Sequence, residues 1–174
     1  MIISFSGLDG SGKTTESKKL AEELNGKYYH IGNLTIFGNI SQFLQKRNPR
    51  LHNNIRDLEY MQNKSIKKSI VSFIKKITSL MDLFYFRIFR AWNWNKIIII
   101  DRYFYDILVQ AQYFKFFGYK FSRLYLKLIP RADVSYFLNV GLETAFKRAD
   151  KSKHQDLNFF KKKERLYYGV IGEK

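Results

Sequence analysis

A chain of 174 residues, 45% apolar and 17% aromatic, has the size of one domain and enough apolar side chain for a real core. It holds no cysteine, which excludes a disulfide framework and thiolate metal sites and fits a reducing cytoplasm. The net charge of +16 favours anionic partners (nucleotides, nucleic acid or an acidic membrane surface), with a genome rich in lysine, asparagine and isoleucine as the alternative source of the charge.

The first element is a strand over Ile2–Ser6. No basic flank and no apolar stretch of signal-peptide length precedes it, so a cytoplasmic location is expected. After the glycine-rich segment Gly7–Thr15, a helix runs from Gly12 to about Leu24, with Leu20, Ala21 and Leu24 at helical spacing and Asn25-Gly26 as its stop. A second strand follows over Lys27–Ile31. A long helical region from about Ile55 to Trp92 carries Ile66, Ile70, Ile74 and Ile77 on one face, with Lys67, Lys68, Lys75 and Lys76 expected to turn away from the core. Its apolar window, Leu80 to Trp94, is broken by Asp82, Arg87 and Arg90, so no transmembrane segment is expected.

A third strand over Lys96–Ile100 leads to helices at Tyr103–Phe114 and Ser122–Leu128. A fourth, over Asp133–Val140, leads to helices at Leu142–Arg148 and Asp156–Tyr168. Buried strands alternating with helices imply right-handed crossovers and a parallel sheet covered on both faces. Prolines stand only at Pro49 and Pro130, and no linker or repeat divides the chain, so residues 1–174 read as a single domain.

The segment GLDGSGKTT satisfies G-x-x-x-x-G-K-[ST] between an apolar strand and an amphipathic helix, the setting the motif needs; a chance match in such a chain is roughly one in a hundred. Gly7, Gly10 and Gly12 let the backbone curl so that its N–H groups converge on phosphate oxygens, and the helix N-terminus adds partial positive charge. Lys13 is expected to reach the β- and γ-phosphates, Thr14 to ligate Mg²⁺, and Thr15 or Ser11 to donate to phosphate. A glycine-rich turn that merely starts a helix leaves Lys13 and the paired threonines unexplained. The bound partner is therefore a nucleoside triphosphate.

Four isoleucines, Ile97 to Ile100, lead into Asp101 and Arg102. A carboxylate at the C-terminal end of a central strand emerges beside the phosphate loop, where open α/β sheets place ligands. Asp101 is the expected Mg²⁺ partner and Arg102 a fork for phosphate oxygens. An Asp that caps the next helix, with its Arg on the surface, is the alternative.

GLDGSGKTT, then DRY at Asp101–Tyr103, an Arg-containing helix at Phe146–Arg148 and DLNFFKKKERLYY at Asp156–Tyr168 occur in this order in the thymidylate kinase family, which the chain resembles over nearly its whole length. The resemblance implies a P-loop NTPase three-layer fold with a parallel sheet of four to five strands flanked by helices. It implies a nucleoside monophosphate kinase that transfers the γ-phosphate of ATP, with Mg²⁺, to dTMP or a related nucleotide. Lys13, Arg102 and Arg148 are its implied catalytic residues. Arg148 and the segment behind it form a lid around 143–155 that supplies the cation absent at Gly10 and Ser11, with Lys151 and Lys153 following. On the acceptor side, Asp9 meets the sugar, Arg102 the phosphate and Tyr103 the ribose, and a homodimer through the long helices is expected.

The Arg-Glu-Pro-Gly turn of the family is missing, and His30–Gly38 reads HIGNLTIFG instead. The long helix should run antiparallel to the strand at Lys96–Ile100, whose length of about 16 Å equals roughly 11 helical residues, which sets Asp82 level with Asp101 and Arg87 and Arg90 farther away. Asp82 is thereby an acceptor-side candidate. Phe84 is another, drawn from an aromatic stripe that is more simply core. His30, His52 and His154 lack ligand spacing and receive no chemistry. The lysines at Lys67–Lys76 and Lys161–Lys163 read as solvated helix faces.

A switch GTPase would need Asn-Lys-x-Asp, which neither Asn63-Lys64 nor Asn95-Lys96 begins. The alternative kept beside the kinase is a P-loop nucleotide-binding protein without dTMP kinase turnover, acting on a different small-molecule acceptor or as a nucleic-acid- or membrane-associated ATPase. For the kinase, no nucleic-acid partner is expected.

Overall fold

The computed structural model describes residues 1–47, 66–149 and 156–172. In chain order it has β1 (Ile2–Gly7), α1 (Lys13–Glu23), β2 (Lys27–His30), α2 (Ile36–Arg47), α3 (Ile66–Trp92), β3 (Ile98–Asp101), α4 (Phe104–Tyr113), α5 (Tyr119–Leu128), β4 (Val134–Leu138), α6 (Leu142–Arg148) and α7 (Leu157–Gly172). All strand pairs are parallel, and the sheet order is β2-β3-β1-β4. The two wholly buried strands, β1 and β3, are its centre.

Successive side chains of a strand point to opposite faces, and both faces are covered here. Ile2, Ile98 and Ile100 pack with Phe86, Tyr103, Phe104 and Leu108 on one side. Ile3, Phe5 and Ile99 pack with Ala21 of α1 on the other. The stop after α1 forms at Asn25, which takes a left-handed φ of 48°, while the Gly26 N–H donates to the Ala21 carbonyl at 2.8 Å. These are the ingredients of a helix C-cap.

Helix α2 was not foreseen in the sequence reading. It starts after a short 3-10 turn at Ile31–Asn33, with Thr35 at its N-cap accepting from the Gly38 N–H at 3.3 Å. The faces of α3 are also the reverse of the expectation. Ile70, Ile74 and Ile77 are exposed, as are Phe73, Met81 and Phe84. Lys75 instead lies 4.2 Å from the Phe116 ring centroid, and Lys76 lies 5.7 Å from that of Phe121. Ser79, Asp82, Leu83 and Phe86 form the buried stripe. A regular apolar spacing identifies an amphipathic helix but not which apolar stripe meets the core, because α3 carries two. The side chains of Ile66, Lys67 and Lys68 lie outside the described residues.

Candidate active site

The site forms where β1 and β3 end side by side, with Phe5 paired to Asp101. Between β1 and α1 the chain turns through Gly7, Gly10 and Gly12, all at positive φ. Gly10 (φ 81°) is constrained twice, since a Cβ there would overlap the Ala145 carbonyl of α6. At Gly12 (φ 92°) nothing lies within 4 Å of the added Cβ, so only the backbone angle calls for glycine. The loop is thus roofed by α6 at one point and open at the helix N-terminus.

Lys13 folds over this loop. Its Nζ donates to the carbonyls of Gly7 (2.8 Å) and Leu8 (2.5 Å), with Ser11 Oγ at 3.4 Å. Burial, followed by the Arg102 charge, pushes the Lys13 ammonium down to about 8, against the upward pull of Asp106, Asp9 and Asp101. Thr14 Oγ1 donates to Asp101 Oδ2 at 2.6 Å, bringing the first turn of α1 and the end of β3 together as the motif spacing anticipates. The Tyr28 hydroxyl donates to the same oxygen at 2.9 Å. Asp101 is fully buried, and its Oδ1 has no hydrogen-bond partner among the described residues. Thr15 is exposed on α1.

Arg102 has a left-handed backbone, φ 67°, which is uncommon for a residue with a Cβ and typical of functional positions. Its Nη2 donates to Asp9 Oδ1 at 2.6 Å, and Lys163 Nζ of α7 approaches Asp9 Oδ2 at 3.4 Å. Burial works to raise the Asp9 pKa, but the Lys163 and Arg102 charges together with the Arg102 hydrogen bond hold it well below the usual carboxylate range. Asp9 is therefore an anion between two cations. Asp106 stands behind them, accepting from the Tyr103 N–H (2.8 Å) and the Tyr167 hydroxyl (2.7 Å).

Several expected residues stand elsewhere. Tyr103 is fully buried against Phe86 and Phe104, and its hydroxyl donates to the Pro130 carbonyl at 2.8 Å, so it is a core residue and does not face an acceptor ribose. Phe84 is 67% exposed, on the opposite side of α3 from the buried Asp82. Asp82 is buried and its Oδ1 accepts from the Ile36 N–H at 2.6 Å, capping α2 from a distance in sequence. Burial pushes its carboxyl up to about 6, with the Ile36 hydrogen bond opposing. Arg87 donates to the Leu128 carbonyl, and Arg90 to the Arg131 carbonyl and Asp133, at the end of the sheet away from the loop.

Arg148 ends α6 with its side chain in solvent. Of the expected lid, Lys151, Lys153 and His154 lie outside the described residues, as does His52. His30 accepts from the Gly32 N–H through Nδ1 and closes the turn there.

Sequence reasoning passed over Tyr28 and misread Lys163. Lys163 is 4% exposed, not a solvated lysine. The signal was present, because Phe159, Phe160, Tyr167 and Val170 are the buried stripe of α7 and position 163 falls between them at helical spacing. A lysine on an apolar stripe is a buried ammonium in search of an anion.

The family model described as thymidylate kinase matches residues 5–168. The thymidylate kinase of Wolbachia pipientis wMel is 30% identical over 183 aligned residues, covering 93% of this chain and 80% of that protein. The probable thymidylate kinase of Methanocaldococcus jannaschii is 25% identical, covering 99% of this chain and 82% of that one. Among solved structures, the thymidylate kinase of Ehrlichia chaffeensis superposes with a TM-score of 0.59 at 20% identity, over 99% of this chain and 81% of that one. A deoxyadenosine kinase from M. mycoides with bound dATP gives a TM-score of 0.54 at 13% identity, over 99% and 84%. Both share the fold.

Proposed function

The chain belongs to the thymidylate kinase family, and from that premise we propose that it transfers the γ-phosphoryl group of ATP to dTMP or a closely related nucleoside monophosphate. The observation that carries this reading is the meeting of Thr14 with Asp101 at 2.6 Å beside the Lys13 loop, since phosphoryl transfer needs a held polyphosphate, a cation-binding carboxylate and concentrated positive charge more than covalent chemistry.

The residues divide the task. The N–H groups of residues 10–15 and the N-terminus of α1 hold the β- and γ-phosphates of ATP. Lys13 leaves the carbonyls of Gly7 and Leu8 to meet them. Arg102 takes the acceptor phosphate, and Asp9, on the other side of Arg102, fixes the guanidinium and meets the acceptor sugar. Thr14 and Asp101 would hold Mg²⁺: a fully buried carboxylate oxygen without a partner among the described residues, beside a threonine hydroxyl, is a hard oxygen donor set that suits this ion. Bound there, the ion would supply positive charge against the negative charge that develops on the transferring phosphoryl group. Arg148, exposed at the end of α6, supplies the further cation over the triphosphate.

The exposed stripe Ile70, Phe73, Ile77, Met81 and Phe84 of α3 supports a homodimer through that face, because an apolar row of this length on a helix is unusual for a monomer. No described helix is long and apolar enough to cross a membrane. With no cysteine in the sequence, this supports a cytoplasmic enzyme.

A coupled ADP-release assay over a panel of nucleoside monophosphates tests the reading. ADP release is expected to depend on a deoxynucleoside monophosphate and to be lost in Lys13→Ala and Arg102→Ala. Release that needs no acceptor, or that survives either substitution, removes it.

A further inference from the structure

The site holds three carboxylates (Asp9, Asp101, Asp106) and three cations (Lys13, Arg102, Lys163), but hydrogen bonds are not evenly shared among them. Asp101 is engaged by Thr14 and Tyr28, and Asp106 by Tyr167 and the Tyr103 N–H. Lys13 is satisfied by carbonyls of its own loop. Arg102 and Lys163 thus both make their direct carboxylate contact with Asp9, with the Asp106 charge behind them.

Lys163 is the under-served member. An ammonium carries three donors, and this one is 4% exposed. Among the described residues its hydrogen-bond partner is Asp9 Oδ2, at a long 3.4 Å, with the Phe159 ring face 4.8 Å away. Burial lowers its pKa against the pull of Asp9, so the fold carries a cost to keep this group charged. A buried ion pair with a weak partner contributes little to stability, and well-packed apolar residues often do better in its place. A buried ammonium with donors to spare beside Arg102 makes physical sense when an anion completes it.

Building on the kinase reading, we propose that Lys163 binds the phosphate of the acceptor nucleotide together with Arg102, which makes α7 part of the acceptor site. A phosphate offers three oxygens, so it can meet the guanidinium fork and the ammonium at once. The side is that of the acceptor, because Lys163 reaches Asp9 from α7, which packs on α4 through Tyr113 with Phe159 and Asp106 with Tyr167, and Arg102 leads into α4. Lys13 and the loop N–H groups belong to the donor.

Calorimetric titration separates this role from that of a structural clamp on Asp9. The probes are dTMP, dAMP, dGMP and dCMP and the matching nucleosides, added to wild type, Lys163→Met, Lys163→Gln and Lys163→Arg. For the monophosphate that wild type binds best, Lys163→Met and Lys163→Gln are expected to weaken affinity by about tenfold or more, the loss of one charge-assisted contact, while nucleoside affinity stays within about twofold. Lys163→Arg recovers part of the loss. The melting temperature of Lys163→Met stays at or above that of wild type, since Asp9 keeps Arg102.

Unchanged monophosphate affinity, equal losses for monophosphate and nucleoside, or no monophosphate binding by wild type overturns the assignment. ADP release is measured in parallel. Wild type that binds a monophosphate without acceptor-dependent ADP release defeats the kinase reading alone, and the titrations still decide the role of Lys163.

Discussion

The replacement Asp82→Asn tests whether a buried carboxylate really holds α2. Asp82 is 2% exposed, and its Oδ1 accepts from the Ile36 N–H at 2.6 Å. Burial lifts its pKa from 3.8 to about 6. Between those values the folded chain holds a proton that the unfolded chain has released, so this group's contribution to stability falls as pH rises through the window and is flat above about 6. Two pKa units correspond to about 3 kcal/mol of penalty on the ionised form at pH 8. Asparagine keeps an oxygen for Ile36 and carries no charge. The variant is therefore expected to be more stable than wild type by about 2–3 kcal/mol at pH 8, and by little at pH 4. Urea unfolding at pH 4, 6 and 8 measures the difference between the two proteins, in which the titration of the other carboxylates cancels. A difference that does not change with pH, or a variant weaker than wild type at pH 8, refutes the argument.

The remaining predictions concern the loop and the β3 carboxylate. Gly10→Ala combines a φ of 81° with a clash against the Ala145 carbonyl, so it is expected to lose about 2 kcal/mol or more in urea melts and to raise KM for ATP; a loss below about 0.5 kcal/mol refutes the contact. The Lys13 ammonium, held near 8, must be charged to bind triphosphate. ATP affinity is accordingly expected to be level below pH 8 and to fall by up to about tenfold per pH unit above it, and calorimetry showing a flat profile from pH 7 to 9.5 counts against that role. The sign for stability is opposite, since a depressed ammonium pKa makes the charged form costly and the penalty is relieved as pH rises above 8. Tyr28→Phe removes the hydroxyl that orients Asp101, and the Mg²⁺ concentration for half-maximal ADP release is expected to rise by about tenfold; an unchanged requirement separates Tyr28 from the ion.

Much of the donor half of the site was readable because its information is local. Gly7 to Thr15 is one contiguous run whose glycines, lysine and threonine each have a chemical reason for their spacing. Asp101 could be placed beside that run without coordinates, since a fully apolar strand belongs in the middle of a parallel sheet and its C-terminal end belongs at the crevice. The acceptor half was harder. Tyr103, adjacent to Arg102, faces the core instead of the crevice because Asp106 closes a cap on its N–H and its ring fills the space under Phe86. Phe84 and Asp82 lie two residues apart on α3 and so point to opposite sides, one to solvent and one to Ile36.

From its own order of residues, the chain specified a parallel α/β domain, a glycine-rich loop ahead of α1 and the carboxylate that faces it, because these depend on periodicity and on spacing within a few residues. Which stripe of α3 is covered, that Asp82 joins Thr35 in capping α2, and that Lys163 crosses to Asp9, 154 positions away, were decided only by packing. The physical reason is that burial and charge pairing are set by whichever element arrives at the other side, and an isolated helix carries no record of which of its faces will be met.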